Sequence, residues 1–316
     1  MQTLVTKLKG SVNNNNLPRL GTITIKAVYV EGTLDANKQQ MLKIKTSTPV
    51  DISVDNGGSL ATTAAGLSTN PQTTFTTTGN GTYTDTLYFS NGNYNVYIND
   101  KYSIKSLFIG EGSFSSPTDV QHVLQLNASM LSYTTSLEDF RFYSHSLNGN
   151  IDYLANSQIK IIQLLYSDIK GDFTIFDNNN AITQCNIFGC NNITADISSL
   201  LKSSITSTTV YISNCAQISG DITSCAAAIP NVTSLKFANT PNISGDFKDL
   251  CESMWNDRAN KTGTFNFQVT GTSCEYFGTK NLTAQVSIII TSSSITCKYG
   301  TTQNKITTNG TTWNDA

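Results

Sequence analysis

The chain has 316 residues and a formal net charge of −2, so its charge does not indicate nucleic acid as a partner. Only 13% of the residues are charged, well below the ~25% that is usual for globular chains. The longest apolar runs are too short to span a membrane, and the N-terminus lacks the apolar region of a signal peptide. We therefore expect no nucleic-acid binding and no membrane insertion, and the neutral polar composition suits an extracellular or particle-bound protein.

Residues 1–20 are predicted to form an N-terminal arm rather than a domain. The first thirty residues contain basic side chains and no acidic one. Two interpretations remain open: a terminal extension on the protein's own surface, and a docking arm that folds onto another subunit. The candidate docking residues are Leu4, Lys7, Leu8, Lys9, Leu17 and Arg19.

Residues 21–110 predict a β-sandwich-like domain or a small barrel, because short alternating segments recur between turn signals. The clearest prediction is a β-hairpin in which Asn91-Gly92 joins residues 83–89 to residues 94–98. The tyrosines of this domain are interpreted as cross-strand partners, with a ligand platform as the alternative. They are Tyr83, Tyr94, Tyr97 and Tyr102.

Residues 111–136 are predicted to combine a linker with a cap for the segment that follows. Gly, Ser and Pro make up the linker. The capping part is either a short helix that begins after Asp119 or a strand at residues 124–126. The sequence leaves both alternatives open.

Residues 137–295 contain one sequence motif, here called the phrase, that occurs five times. Its Gly-Asp-like pair begins at positions that are 22, 24, 25 and 25 residues apart. These positions are Gly149, Gly171, Ala195, Gly220 and Gly245. A fixed period in this range predicts stacked units that share a continuous core. Two divergent copies are predicted to follow, beginning at Phe265 and at Val286.

The fourth copy gives the phrase most clearly, as Val210-x-Ile212-x-x-Cys215-x-x-Ile218 before Gly220-Asp221. It resembles the leucine-rich repeat, whose core is L-x-L-x-x-N/C-x-L. The resemblance implies a mainly β chain, in which the β-sandwich-like domain is followed by a leucine-rich-repeat-like β-solenoid with short convex helices or turns. Residues 296–316 would be its terminal cap or a tail.

Cys190 and Cys215 occupy the position of the phrase that would turn inward and hydrogen-bond the backbone of a neighbouring repeat. All seven cysteines follow residue 184, and none forms a Cys-x-x-Cys pair. We interpret them as buried, reduced thiols and expect folding in a cytosol. His145 falls on the same inward position as Cys190, and Trp255 is interpreted as a packing anchor rather than a sugar platform.

Four aspartates follow the central Gly or Ala of the phrase and form a predicted structural ladder: Asp172, Asp196, Asp221 and Asp246. The favoured role is that of N-caps for short helices. Stacking at ~5 Å would alternatively suit a divalent cation or a retaining glycosidase. No motif of catalysis or phosphate binding is present. We therefore expect no enzyme, no catalytic residues, no cofactor and no metal.

The combination of arm, β-domain and solenoid is similar to virion surface proteins of tailed bacteriophages. The segments Thr3-Leu4-Val5-Thr6-Lys7-Leu8-Lys9-Gly10 and Leu17-Pro18-Arg19-Leu20-Gly21 resemble the N-terminus of structural proteins in crAss-like phages of gut Bacteroidales. This resemblance implies a head-fibre or tail-fibre protein on the virion surface, made in the host cytoplasm. It would dock on capsid or tail proteins, act as a homo-oligomer and attach to a host glycan or protein. The alternatives are a polysaccharide-degrading enzyme at a fibre tip and a bacterial cell-surface adhesin.

Overall fold

The computed structural model describes most of the chain from Gly21 onward. The described residues are 21–27, 40–54, 60–61, 74–77, 79, 85–89, 92–111, 124–127, 131, 134–143, 146–155, 157–176, 179, 181–201, 209–229, 232 and 234–316. They form a mainly β structure with two compact units. One unit comprises residues 1–159 and 165–169, and the other comprises residues 160–164 and 170–316. The predicted docking arm and His145 lie outside the described residues.

The first unit contains two mixed sheets. Its strands are β1 (Gly21–Ala27), β2 (Gln40–Thr46), β3 (Asp51–Val54), β4 (Leu60–Ala61), β5 (Thr74–Thr76), β6 (Asp85–Phe89), β7 (Gly92–Ile98), β8 (Ile104–Glu111), β9 (Leu124–Asn127), β10 (Asp139–Tyr143) and β11 (Ser146–Asn148). The strand orders are β11-β9-β1-β7-β3-β5 and β10-β8-β2-β6-β4. Alternate residues of β3 and β10 are buried, as expected for strands with one face on a core. Short 3₁₀ helices lie at Lys101–Ser103 and Ile151–Leu154.

The β-hairpin predicted across Asn91-Gly92 is wrong. Strand β6 pairs antiparallel with β2, whereas β7 pairs antiparallel with β1 and β3 in the other sheet. Asn-Gly is a local signal for a change of chain direction. It carries no information on which sheet the next strand joins, and burial of Val96 and Ile98 in β7 is satisfied in that other sheet.

Parallel pairing begins at the first copy of the phrase, which pairs with strands that precede it. Strand β10 pairs in parallel with β8, so that Phe140 lies opposite Leu107 and Phe142 lies opposite Ile109. Strand β11 pairs in parallel with β9. Of the two alternatives for residues 111–136, the structure therefore contains the strand.

The second unit follows the repeats. Its strands are β12 (Ile161–Leu165), β13 (Gly171–Asp172), β14 (Gln184–Phe188), β15 (Ile193–Asp196), β16 (Thr209–Ser213), β17 (Ile218–Asp221), β18 (Ser234–Ala238), β19 (Ile243–Asp246), β20 (Gly263–Gln268), β21 (Ser273–Glu275), β22 (Val286–Ile290), β23 (Ile295–Tyr299), β24 (Gln303–Thr307) and β25 (Asn314–Asp315). The larger sheet has the order β25-β24-β23-β22-β20-β18-β16-β14-β12, and the smaller has the order β13-β15-β17-β19-β21. The helices are α1 (Ile197–Leu200) and α2 (Phe247–Met254), with 3₁₀ helices at Phe173–Phe176, Ile222–Cys225 and Trp255–Asn260.

Equivalent positions of the repeats lie side by side in the larger sheet. Ile212 lies opposite Ile187 on one side and Phe237 on the other, and all three side chains are fully buried. The pairing is parallel, as it must be when each strand comes from the same point of successive copies. The apolar-x-apolar stretch of the phrase therefore forms one face of a continuous core.

The sixth copy of the phrase is shifted by two residues from its predicted alignment with the fifth copy. Leu235 pairs with Phe267, whereas the prediction aligned it with Phe265. The copy continues through Val269 and Cys274, which are buried. Apolar residues recur at every second position here, so the spacing alone permits either frame.

The seventh copy, predicted to begin at Val286, is wrong. Strand β22 pairs antiparallel with β20, and β23, β24 and β25 continue the antiparallel series. These strands cover the edge at which a further parallel repeat would have to pair. Alternating apolar residues predict a strand but not its direction, which is why the sequence did not distinguish this ending from another repeat.

Candidate functional site

The four ladder aspartates all accept a hydrogen bond from the backbone N–H two residues later. The distance is 2.7 Å for Asp172 and 2.8 Å for Asp196, Asp221 and Asp246. Each bond satisfies an N–H at the start of a short helix, a contribution of about 1 kcal/mol. For Asp172 this bond, donated by Thr174, is the main cause of a carboxyl pKa below its ordinary value.

The glycines before Asp221 and Asp246 are explained by the preceding repeat. Gly245 has a φ of +112°, and a Cβ at this position would lie 2.4 Å from Oδ1 of Asp221. Gly220 has a φ of +133°, and its Cβ would lie 3.1 Å from Oδ1 of Asp196. Gly220 and Gly245 thus leave room for the capping carboxylate of the copy before them, whereas the third copy has Ala195 at this position.

The aspartates do not face one another directly in the smaller sheet. Asp172 lies opposite Thr194, and Asp221 lies opposite Ser244. Each partner precedes the next aspartate by two residues, so the expected column of adjacent carboxylates is staggered. In the part of the chain that the structure describes, no group of three or more His, Cys, Asp or Glu side chains is placed to hold a metal ion.

The inward position of the phrase holds thiols that bond the backbone of the preceding copy. The Cys190 thiol donates to the Leu164 carbonyl and the Cys215 thiol to the Ile187 carbonyl, both at 3.7 Å. All seven cysteines are free and buried, as predicted. Burial raises the pKa of Cys215 to about 12, so the thiol stays protonated and remains a donor at neutral pH.

A column of left-handed residues was not predicted from the sequence. It follows the strands of the larger sheet at Gly189, Asn214 and Asn239, whose φ values are +61°, +53° and +52°. Asn239 Nδ2 donates to Asn214 Oδ1 at 3.0 Å. The signal was available, because Gly and Asn are the residues that most readily adopt this conformation.

Both tryptophans pack at the C-terminal cap. The Arg258 guanidinium lies 3.7 Å from the centre of the Trp255 ring. A Cβ on Gly310 would lie 2.5 Å from the same indole, so the glycine backbone rests on it. Trp313 Nε1 donates to Glu252 Oε1 in helix α2 at 3.0 Å. These contacts give Trp255 a packing role and leave little of its ring open to a ligand.

The tyrosines considered for a platform in the first unit are partly outside the described residues. Tyr83 and the side chain of Tyr94 are not described. Tyr97 lies in β7, opposite Thr22 and Ser53. Tyr102 lies in a 3₁₀ helix. Tyr97 therefore lies at a cross-strand position, as predicted.

The larger sheet of the second unit has a second face whose residues alternate with the buried core. We call the positions of β14, β16 and β18 on this side the outer face. They are Gln184, Asn186, Phe188, Thr209, Tyr211, Ser213, Ser234, Lys236 and Ala238. Lys236 is the one charged residue among them, and the remainder are amide, hydroxyl, aromatic and small side chains.

Three outer-face residues lie in one row across three strands. Tyr211 lies opposite Asn186 on one side and Lys236 on the other. The Lys236 Nζ lies 4.2 Å from the Tyr211 ring centre, a cation–π contact. The Phe188 ring meets the Tyr211 ring edge-to-face, with 4.0 Å between the centroids and an interplanar angle of 85°. The Tyr211 ring is therefore packed between Phe188 and Lys236, and its contact with Lys236 positions the ammonium.

The same row contains polar groups that are not paired within the described part of the chain. Lys236 has no described carboxylate within ion-pairing distance. Asn186 is 5% exposed, and its Oδ1 has no hydrogen-bond partner. The outer face therefore combines a positioned cation with a neighbouring buried acceptor that has no partner.

No protein-family model matches this chain, and no curated protein matches it in sequence. Within the described ranges, none of the helices has the length and apolar character needed to cross a membrane.

Proposed function

We propose that the chain is a structural component of a bacteriophage virion, of the head-fibre or tail-fibre type. In this proposal residues 1–20 dock on capsid or tail proteins, and the repeats project from the virion surface as an adhesive element. The observation that carries the adhesive part is the outer face, a rigid surface with the row Asn186, Tyr211 and Lys236 and no carboxylate of its own.

The finer architecture belongs to the same proposal. We interpret the parallel strands of the second unit as a leucine-rich-repeat-like solenoid, and the two mixed sheets of the first unit as a β-sandwich-like domain. In-register pairing of Ile187, Ile212 and Phe237 supports the solenoid. The aspartate caps at the starts of α1 and α2 support short convex helices.

A binding role is favoured over a polysaccharide-degrading one by what the ladder aspartates do. Each carboxylate accepts a backbone hydrogen bond at a helix start, and neighbouring copies are staggered. A retaining glycosidase instead places two free carboxyl groups across a bound sugar, ≈ 5–5.5 Å apart. The ladder thus has a structural explanation in every copy.

The virion part rests on the resemblance of residues 1–21 to crAss-like phage structural proteins. It names the partners as other virion proteins and, by analogy with fibres, further copies of this chain. A bacterial cell-surface adhesin would share the binding face but would not attach to a phage particle. Attachment to a phage particle therefore distinguishes a virion protein from a bacterial cell-surface adhesin.

The adhesive part is tested by blocking the outer face. Ser234 is exposed and lies two residues before Lys236 on the same side of β18, so Ser234→Glu adds bulk and a negative charge beside Lys236 without filling a core position. The matched control is Ser253→Glu, at an exposed position of helix α2. We expect Ser234→Glu to reduce cosedimentation of the full chain with Bacteroidales cells at least ~10-fold, and Ser253→Glu to leave it unchanged. Equal cosedimentation of the two variants would count against the outer face as the adhesive surface.

A further inference from the structure

We infer that the row Asn186, Tyr211 and Lys236 is a subsite for a carboxylate-bearing saccharide. This inference rests on the proposed adhesive function of the outer face and names the class of ligand. It combines a positioned cation with an unpaired acceptor, which a ligand with both a carboxylate and hydroxyl groups would satisfy.

The Lys236 ammonium provides the anion-binding group. Its contact with the Tyr211 ring at 4.2 Å holds Nζ over the face of the sheet. An ammonium has three N–H donors, and an aromatic face does not neutralise its charge. With no described carboxylate in ion-pairing range, the ammonium is available to a carboxylate of a ligand. Such a bond is charge-assisted and stronger than a bond between neutral groups.

Asn186 provides the second group. The residue is 5% exposed, and its Oδ1 is buried without a hydrogen-bond partner, which is unfavourable until a donor reaches it. Neighbouring strands are ~4.8 Å apart, so Asn186 and Lys236 are separated by ~10 Å across Tyr211. A short oligosaccharide that places its carboxylate at Lys236 can direct a hydroxyl towards Asn186, whose buried Oδ1 accepts a hydrogen bond from it once the side chain turns outward.

The surroundings favour a saccharide over an acidic peptide. The neighbouring positions Gln184, Thr209 and Ser234 carry amide and hydroxyl groups, which match sugar hydroxyls. Protein partners instead depend on buried aromatic or apolar anchors in pockets. Here Phe188 is only 9% exposed, and the Tyr211 ring is already in contact with Lys236.

The inference is tested by isothermal titration of the full chain with tetragalacturonate, the uncharged galactotetraose and a hexaglutamate peptide. We expect tetragalacturonate to bind and to weaken as salt is raised, because the ion pair is partly exposed. Galactotetraose and hexaglutamate should bind at least ~10-fold more weakly. Absence of tetragalacturonate binding, or tighter binding of hexaglutamate, would overturn the inference.

Two variants assign the binding to this row. Lys236→Gln should weaken tetragalacturonate binding at least ~10-fold, whereas Lys248→Gln, in helix α2, should not change it. Asn186→Leu should weaken it through loss of the acceptor, and circular dichroism shows whether that variant folds. Equal affinity of Lys236→Gln and wild type would overturn the inference even if Asn186→Leu does not fold. If Ser234→Glu abolishes cell binding while tetragalacturonate fails to bind, the adhesive function stands and only the ligand class is wrong.

Discussion

Thr240 occupies the inward position that holds cysteines in the two preceding copies. Its side chain is fully buried, and its hydroxyl has no hydrogen-bond partner. A buried unpaired hydroxyl costs about 1–3 kcal/mol. We therefore predict that Thr240→Val raises the free energy of unfolding by about 1 kcal/mol, as measured by guanidinium denaturation.

Thr134 is a matched control for this substitution. It is equally buried, but its hydroxyl donates to the Leu131 carbonyl at 2.8 Å. Thr134→Val should therefore lower the free energy of unfolding by about 1 kcal/mol. Destabilisation by Thr240→Val of the same size would mean that its hydroxyl is paired after all.

Gly245 combines a left-handed backbone with a crowded neighbour, Asp221. We predict that Gly245→Ala lowers the free energy of unfolding by about 2 kcal/mol or more, because strain and a steric clash act together. Gly278 has a φ of +80° and no atom within 4 Å of its Cβ position, so Gly278→Ala isolates the backbone strain. Thermal unfolding should rank Gly245→Ala as the less stable variant, and the reverse order would contradict the packing of Asp221 against this glycine.

Asp172 links stability to pH. Its pKa in the folded protein is lowered, chiefly by the hydrogen bond from the Thr174 N–H, from about 3.9 in the unfolded chain. Between the two values the unfolded state binds more protons, so stability rises with pH there. The stabilisation is complete above about pH 4 and is lost as pH falls through the folded pKa.

We therefore predict that Asp172→Asn reduces the loss of stability on acidification. Urea unfolding of the variant and the wild type, from about pH 6 to pH 2.5, measures the two slopes. Asp172→Ala removes the cap as well and should be less stable than Asp172→Asn at neutral pH. Identical slopes for wild type and Asp172→Asn would show that this carboxylate has the same pKa in both states.

At the scale of elements, the repeats were the most predictable part of the chain. Positions such as Ile212 were located correctly because two independent constraints, the apolar spacing and the period, agree there. The predicted hairpin at Asn91-Gly92 and the predicted alignment of the sixth copy at Phe265 were wrong because each rested on a local pattern alone. Pairing partners depend on burial across the fold, which a turn signal does not contain.

Tyr276 stabilises the region where the parallel strands end and the antiparallel strands begin. Its side chain is almost fully buried, and its hydroxyl lies within hydrogen-bonding distance of the Cys297 carbonyl, at 3.0 Å, and the Gln303 carbonyl, at 3.3 Å. We predict that Tyr276→Phe lowers the free energy of unfolding by about 1 kcal/mol, the usual contribution of such a bond. Hydrogen exchange should show faster exchange in β23 and β24, while the amides of β16 serve as the internal control. Uniform acceleration across all three strands would contradict a local role for the hydroxyl.

Asp246 connects residues 277–278, which follow the repeats, to the fifth copy of the phrase. Besides capping α2, its carboxylate accepts hydrogen bonds from the N–H groups of Phe277, at 2.9 Å, and Gly278, at 2.8 Å. The sequence predicted the capping role, since Asp246 follows the glycine of the phrase. The contacts with residues 277–278 were not predictable, because they join segments about thirty positions apart in a region where the period ends.

For the whole molecule, the candidate site was harder to predict than the fold. The sequence directed attention to the aspartates, which recur, whereas Tyr211 and Lys236 occupy variable positions of the phrase. Their contact appears only when successive copies are placed side by side. Repetition marks the residues that build the scaffold, and a surface that binds a ligand need not repeat.

We propose that one end of the chain attaches to a phage particle while the repeats attach to a host surface. This proposal is tested by measuring whether the full chain bridges fluorescent crAss-like phage particles to Bacteroidales cells that the particles do not bind on their own. We predict bridging by the full chain and by Ser253→Glu. We predict no bridging by a chain that lacks residues 1–20 or by Ser234→Glu. Bridging that persists without residues 1–20, or that the full chain fails to produce, would contradict it.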